Sequence, residues 1–247
     1  VTVVIVNWNS RSFLETTLAA IKSFTSDDVA VIVVDNHSSD GSVVLRRTLP
    51  GLRWITMPAN VGHELALDIG FLLSRTEYVV CLDVDAFPIQ EGWLELLIDP
   101  LRRGYTVSGA HLRGGIVHPC CLAMHLERFV RADHTFLARR GQRLAVDASD
   151  KDAPGWDTGW RISLREDARF LFERTEVLGP GDIGSSWAGL VYHNFYSTRF
   201  GSKLAPSQEE LDFGVSPCSA RTAWDLAVRR YLVDPPLGRS EAHGPTT

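Results

Sequence analysis

The sequence predicts an α/β fold: a mostly parallel sheet with helices on both faces. Three observations carry that expectation. Short β-branched, apolar runs alternate with segments of helical periodicity. The apolar runs are nearly uninterrupted, as in strands buried on two faces. Each of the first four runs ends in a polar cluster, and ligands of open parallel sheets bind beyond the carboxyl ends of the strands.

Val1 to Val6 reads as the first strand, ended by Asn7-Trp8-Asn9-Ser10, with Ser10 or Ser12 able to cap the next helix. Phe13, Leu14, Leu18, Ile21 and Phe24 then fall at helical spacing. Val29 to Val34 is a second strand, and the polar loop Asp35 to Ser42 leads into a helix around Val43 to Arg47. Leu52 to Met57 is a third strand, and Ala59-Asn60-Val61-Gly62 is the turn before a helix from His63 to Ser74. Tyr78 to Leu82 is a fourth strand, and a helix beyond Gln90 carries Trp93, Leu94, Leu97 and Leu101. Tyr105 to Leu112 and Ile116 to His125 are strands turned at Gly114-Gly115. Ala138 to Pro154, with Asp147, Asp150 and Asp152, is a loop, and Trp156-Asp157-Thr158-Gly159-Trp160 opens a short helix. Phe170 to Leu178 reads as one strand, broken by Gly179-Pro180-Gly181, and Gly189 to Phe195 is an apolar stretch holding His193. Ser207 to Asp212 and Ala220 to Leu232 are terminal helices, and the tail from Pro235 is expected to be disordered.

The 247 residues suffice for a sizeable core, and 45% hydrophobic with 22% charged residues is ordinary globular composition. A net charge of −5 with no basic run argues against nucleic acid as a partner. No apolar run is long enough to span a bilayer, and the N-terminus reads as a strand from Val1 to Val6 with no basic region, so no signal peptide is expected. The four cysteines Cys81, Cys120, Cys121 and Cys218 form no CxxC pair, which disfavours a zinc ribbon. Free thiols in a reducing compartment are expected, hence a cytoplasmic location.

The chemistry centres on Asp83-Val84-Asp85, at the end of an apolar strand. In a strand the two acids share a face, where they repel each other unless a cation lies between them. A hard cation, Mn²⁺ or Mg²⁺, takes such oxygens and shares them with substrate phosphates. A solvated turn, helped by Pro88, is the plainer alternative. The first strand lacks a GxGxxG loop, no Walker A loop occurs, and Leu67 stands where HExxH needs histidine.

The runs VVIVNWNSRSFLETTLAAI, VIVVDNHSSDGS, ANVGHELALDIG and YVVCLDVDAFP, in that order and spacing, resemble the nucleotide-sugar half of a family 2-type glycosyltransferase with the GT-A fold. The resemblance is strong from Val1 to about Trp93. It implies residues 1–108 as the nucleotide-sugar half, 109–203 as the acceptor-side half of the same domain, and 204–247 as C-terminal helices and tail. It also implies Asp35 against the nucleotide base, Asn7 and Trp8 flanking it, and Asn60, Gly62 and Asp68 along the donor. Asp83, Val84 and Asp85 become the DxD motif, with Asp85 and Asp83 on the metal and His193 completing the ligand set. Asp157 matches the catalytic base, and its neighbours Trp156 and Trp160 are placed to stack on an acceptor. The chain departs from the family pattern at His63, Leu65 and Asp68, and in Trp156-Asp157 where Glu-Asp is usual.

The implied activity is metal-dependent, inverting transfer from a nucleotide sugar, a UDP-sugar by preference, to a small-molecule or glycan acceptor. A homo-oligomer is compatible with it. Asp157 is equally good sequence for a helix N-cap, and His193 for a core histidine. His111, His118 and His125 fall on the presumed acceptor side. A silent nucleotide-binding scaffold and a nucleotidyltransferase remain as alternatives, although the latter expects a Gly-rich basic loop after the first strand.

Overall fold

The structure is a computed structural model and describes residues 1–26, 28–112, 115–137, 158–179, 183–194 and 217–234. Its first half follows the predicted alternation: β1 (Thr2–Asn7), α1 (Arg11–Phe24), β2 (Ala30–Asp35), a 3₁₀ helix (Ser42–Arg47), β3 (Arg53–Thr56), α2 (His63–Leu72) and β4 (Tyr78–Leu82). A three-residue strand β5 (Ala86–Pro88), α3 (Trp93–Arg102), β6 (Val107–Leu112), β7 (Ile116–His125), α4 (Leu126–Arg131) and α5 (Trp160–Arg165) come next. Then follow β8 (Arg169–Phe172), β9 (Arg174–Leu178), β10 (Gly184–Trp187), β11 (Val191–Asn194) and α6 (Pro217–Val228), which ends in a π-helical turn (Arg229–Val233).

Among the described residues the strands make two sheets. The larger has the order β3-β2-β1-β4-β7-β6-β8 and the smaller β5-β11-β10-β9. Strands β3, β2, β1 and β4 are mutually parallel, as predicted. Strand β7 runs antiparallel to both β4 and β6, and β6 is parallel to β8, so the sheet is mixed beyond β4. Residue 108 lies within β6, so the two expected halves share this sheet.

Helices cover both faces. Along β1, Val3 and Ile5 pack with Leu14 and Leu18 of α1 and Trp93 of α3, while Val4 and Val6 pack with Ala66, Leu67 and Phe71 of α2. That division is the period of two in a strand buried on both sides. At Gly70 a Cβ would lie 2.3 Å from Val4 Cγ1, so glycine is what lets α2 sit this close to the sheet. Helix α1 begins without a side-chain cap from Ser10, whose hydroxyl donates instead to the Trp8 carbonyl. The Arg11 amide at its start donates to Asp40 Oδ2, in the loop after β2.

Two expectations are corrected. Phe170 to Leu178 is not one strand. The chain leaves the large sheet after Phe172 and enters the small one at Arg174, with Glu173 as the corner. The Asp83-Val84-Asp85 run is not strand but a turn, closed by the Ala86 amide donating to the Asp83 carbonyl. The expected Ala138 to Pro154 loop, the helix at Ser207 to Asp212 and the tail from Pro235 lie outside the described residues.

Candidate active site

The Asp83–Asp85 turn is fixed by groups from three elements. Thr17 Oγ1, buried on α1, lies 2.9 Å from the carbonyls of both Val84 and Ala86. The Asp83 amide donates to Cys120 O on β7 (3.2 Å), and the Asn194 amide on β11 donates to Asp85 O (3.0 Å). Val84 points into the core with 6% exposure, so the two flanking acids turn away from it. The strand premise fails, yet the turn brings the carboxylates together just as a shared strand face would have done.

His193 is cross-strand partner to Ala86 on β5, and this pairing carries its ring to the acids. Its Nε2 lies 3.4 Å from Asp85 Oδ1 and 3.5 Å from Asp83 Oδ2. The coordinating atoms of Asp83, Asp85 and His193 all lie within 4.8 Å of one another. Asp83 Oδ1 is buried without a hydrogen-bond partner among the described residues. A half-buried and a buried acid side by side, one oxygen lacking a hydrogen-bond donor and an imidazole between them make a donor set that fits a divalent cation.

His63, at the start of α2, adds a second imidazole: its Nε2 is 3.5 Å from Asp83 Oδ1, an ion contact rather than a good hydrogen bond. Burial pushes Asp83 up, but His63, His193 and His118 outweigh it and hold the carboxyl down at about 2. Burial in turn lowers His63, and Asp83 overcomes it, so the imidazole keeps its proton to higher pH than a free histidine. His118 is buried on β7, with its ring 5.4 Å from that of His193 and its Nδ1 accepting the Cys120 amide (3.0 Å). It belongs beside the acids, not on a separate acceptor side.

The residues expected to face the base form a second hydrogen-bonded group. Asn7 Nδ2 donates to Asp35 Oδ1 (3.1 Å), with Ser38 Oγ and Ser42 Oγ also in reach (3.0 and 2.8 Å). Asn36 receives the Val61 amide and donates to Asn60 Oδ1 and the Gly62 carbonyl, tying the β2 loop to the turn before α2. Asn36, Ser38, Ser42 and His63 contact the expected site residues, although sequence reasoning did not assign them to the site. For His63 a signal existed, since it departs from the family pattern next to Gly62.

Other expected residues stand elsewhere. Asp68 faces away from Asp35: its carboxylate accepts the Phe136 amide (2.8 Å) and the Thr135 hydroxyl, linking α2 to the segment after α4. Trp160 is 7% exposed, so it does not present the open aromatic face expected for stacking on an acceptor. Trp8 is half-buried beside Asn7. Asp157 and Trp156 lie outside the described residues. Cys81, Cys120 and Cys121 are free and buried. No helix of the described residues is long and apolar enough to cross a membrane.

Comparison with known proteins places this arrangement. Residues 2–119 match the family model described as glycosyl transferase family 2. Similar solved structures include a mannosyltransferase from Pyrobaculum calidifontis in complex with GDP-Man and Mn²⁺. It is 20% identical, with 69% of this chain and 53% of that chain covered and a TM-score of 0.55. The 1–349 segment of S. aureus TarS is 14% identical over 55% of this chain and 50% of its own, with a TM-score of 0.48. The chain thus spans about half the length of these structures. No curated protein matches it. The match to glycosyl transferase family 2 thus spans residues 2–119, just under half of the chain, and the fold is GT-A.

Proposed function

We propose that the protein is a metal-dependent, inverting glycosyltransferase that takes a sugar from a UDP-sugar to an acceptor nucleophile. The observation that carries this reading is the convergence of Asp83, Asp85 and His193 at the carboxyl edge of a family 2 sheet. These three side chains would hold the cation. A hard divalent ion, Mn²⁺ or Mg²⁺, supplies Lewis-acid stabilisation of the charge that collects on the departing nucleoside diphosphate.

The chain's own residues do the rest. Asn7 occupies Asp35 Oδ1 and orients the carboxylate, leaving Oδ2 with no protein donor among the described residues. One open acceptor oxygen suits a base with a ring N–H, which uracil and guanine have and adenine and cytosine lack, and this is consistent with UDP as the nucleotide. The Asn36–Asn60–Gly62 bonds hold the loop after β2 against the turn before α2 before ligand arrives. Asp157 takes the proton of the acceptor from the side of the sugar opposite the leaving group, and attack from that side inverts the anomeric carbon.

Calorimetric titration of UDP with and without Mn²⁺ tests the reading. Binding should strengthen at least tenfold with Mn²⁺ in the wild type and show no Mn²⁺ dependence in Asp85→Asn. UDP binding indifferent to Mn²⁺ in the wild type removes the metal role. Transfer by Asp157→Asn at wild-type rate removes Asp157 as base. Binding without turnover of any nucleotide sugar leaves a scaffold.

A further inference from the structure

We propose that His118, Cys120 and His193 form a second cation site, for a borderline divalent ion such as Zn²⁺ or Co²⁺, and that it shares His193 with the carboxylate pair. Strand β7 is irregular between His118 and Leu122, opposite Gly109 and Ala110, and the ligand atoms of His118 and Cys120 converge there. His193 meets them from β11. The coordinating atoms of the three lie within 4.8 Å of one another, and all three residues are buried. Ligand atoms around tetrahedral zinc stand roughly 3.3–3.8 Å apart, so small side-chain shifts would close the site. A carboxylate oxygen of Asp83 or Asp85, already 3.4–3.5 Å from His193 Nε2, is within reach as the fourth ligand.

The donor chemistry separates the two sites. Thiolate and imidazole favour zinc-like ions, whereas the carboxylate pair favours Mn²⁺ or Mg²⁺. Both ions would draw on the one lone pair of His193 Nε2, the nitrogen that faces the carboxylates, so the two exclude each other. Burial and the nearby Asp83 keep the Cys120 thiol protonated without a cation. On coordination the sulfur–metal bond replaces the S–H bond, and the proton passes to solvent. His118 also exchanges its hydrogen bond with the Cys120 amide for a metal bond, or turns its ring, at the cost of one neutral hydrogen bond. Cys120 is fully buried while Asp83 retains 15% side-chain exposure, so an ion enters past the carboxylates.

The thiolate site stands independently of the transferase reading, and the mutual exclusion rests on it. Titration of the metal-free full chain with Co²⁺ should produce thiolate-to-cobalt charge-transfer absorption, saturating at one equivalent. Cys120→Ser should abolish the band, His118→Ala should weaken Co²⁺ binding at least tenfold, and Asp85→Asn should keep the band. A folded wild type without the band overturns the site, as does a band that survives Cys120→Ser; the wild-type spectrum decides even if a variant fails to fold. One equivalent of Zn²⁺ should raise the apparent Kd for Mn²⁺ at least tenfold, read from the paramagnetic resonance of free Mn²⁺. Binding of both ions together overturns the sharing of His193. A thiolate band in a protein that never binds Mn²⁺ supports the second site and counts against the carboxylate site alone.

Discussion

Asp83 lies between two imidazoles, and on the proposed metal role this sets how cation binding depends on pH. Its carboxylate is ionised throughout the neutral range. His63 carries a raised pKa, so its contribution as a cation is complete below about 6.5 and is lost as pH rises through its higher folded value. A metal ion must therefore displace an imidazolium from Asp83 at low pH and meets a neutral ring at high pH. His63→Ala should tighten Mn²⁺ binding at pH 6 by about two- to fivefold, the equivalent of an ion pair of roughly 0.5–1 kcal/mol. At pH 8 it should change little. Calorimetry at the two pH values checks this. At this scale the sequence was readable where the chemistry is unusual: two acids after an apolar strand have few structural uses. Asp68 misled because its position fits the donor pattern, while its partners Thr135 and Phe136 lie far along the chain.

Elements place the acids. Helix α1 lends Thr17, whose hydroxyl sits against two carbonyls of the turn, and no local sequence signal links residue 17 to residue 84. Thr17→Val keeps the side-chain shape and deletes the donor, leaving buried carbonyl groups less satisfied. The expected loss is about 1–3 kcal/mol in urea unfolding. A second expectation is severalfold weaker Mn²⁺-dependent UDP binding, because the turn loses its anchor. A stability loss with unchanged metal affinity would show that β5 alone sets the turn. Strand β5 escaped sequence reading because three residues are too short for any periodicity, and its pairing with β11 is the only local sign of it. The corner at Glu173 escaped for a related reason: β8 and β9 are both short, and nothing in their pattern says that they belong to different sheets.

At the scale of the molecule, the four-stranded parallel core was legible because two-face burial writes continuous apolar runs. Beyond β4, Gly114-Gly115 announced the antiparallel β6–β7 hairpin, but the antiparallel docking of β7 on β4 was not legible, since β7 is apolar along most of its length whichever way it runs. What holds the far side together is an ionic cluster that no motif announces. Glu166, with 1% side-chain exposure, accepts both Arg128 Nε and Nη2 and lies 2.5 Å from His134 Nε2. Burial raises its carboxyl, but hydrogen bonds led by Arg128 bring it below the usual range. A lowered carboxyl stabilises the fold above about 4.5 and loses that contribution as pH falls through its folded value. Glu166→Gln should cost about 2–3 kcal/mol at pH 7, the low side for a broken buried pair because Arg128 is 45% exposed. Thermal unfolding between pH 3 and 7 should show a shallower acid decline in the variant than in the wild type.

The pairing of β5 with β11 has a consequence for how the protein comes into being. Asp83 and Asp85 emerge early in synthesis, and His193 follows roughly a hundred residues later, a closure that costs chain entropy before any contact rewards it. The nascent first half therefore carries an incomplete ligand set, with strand edges of β4 and β5 still waiting for β7 and β11. Cation affinity becomes a clock for the last step of folding: in refolding experiments Mn²⁺ capture should rise with the slowest phase, after most helical signal has returned.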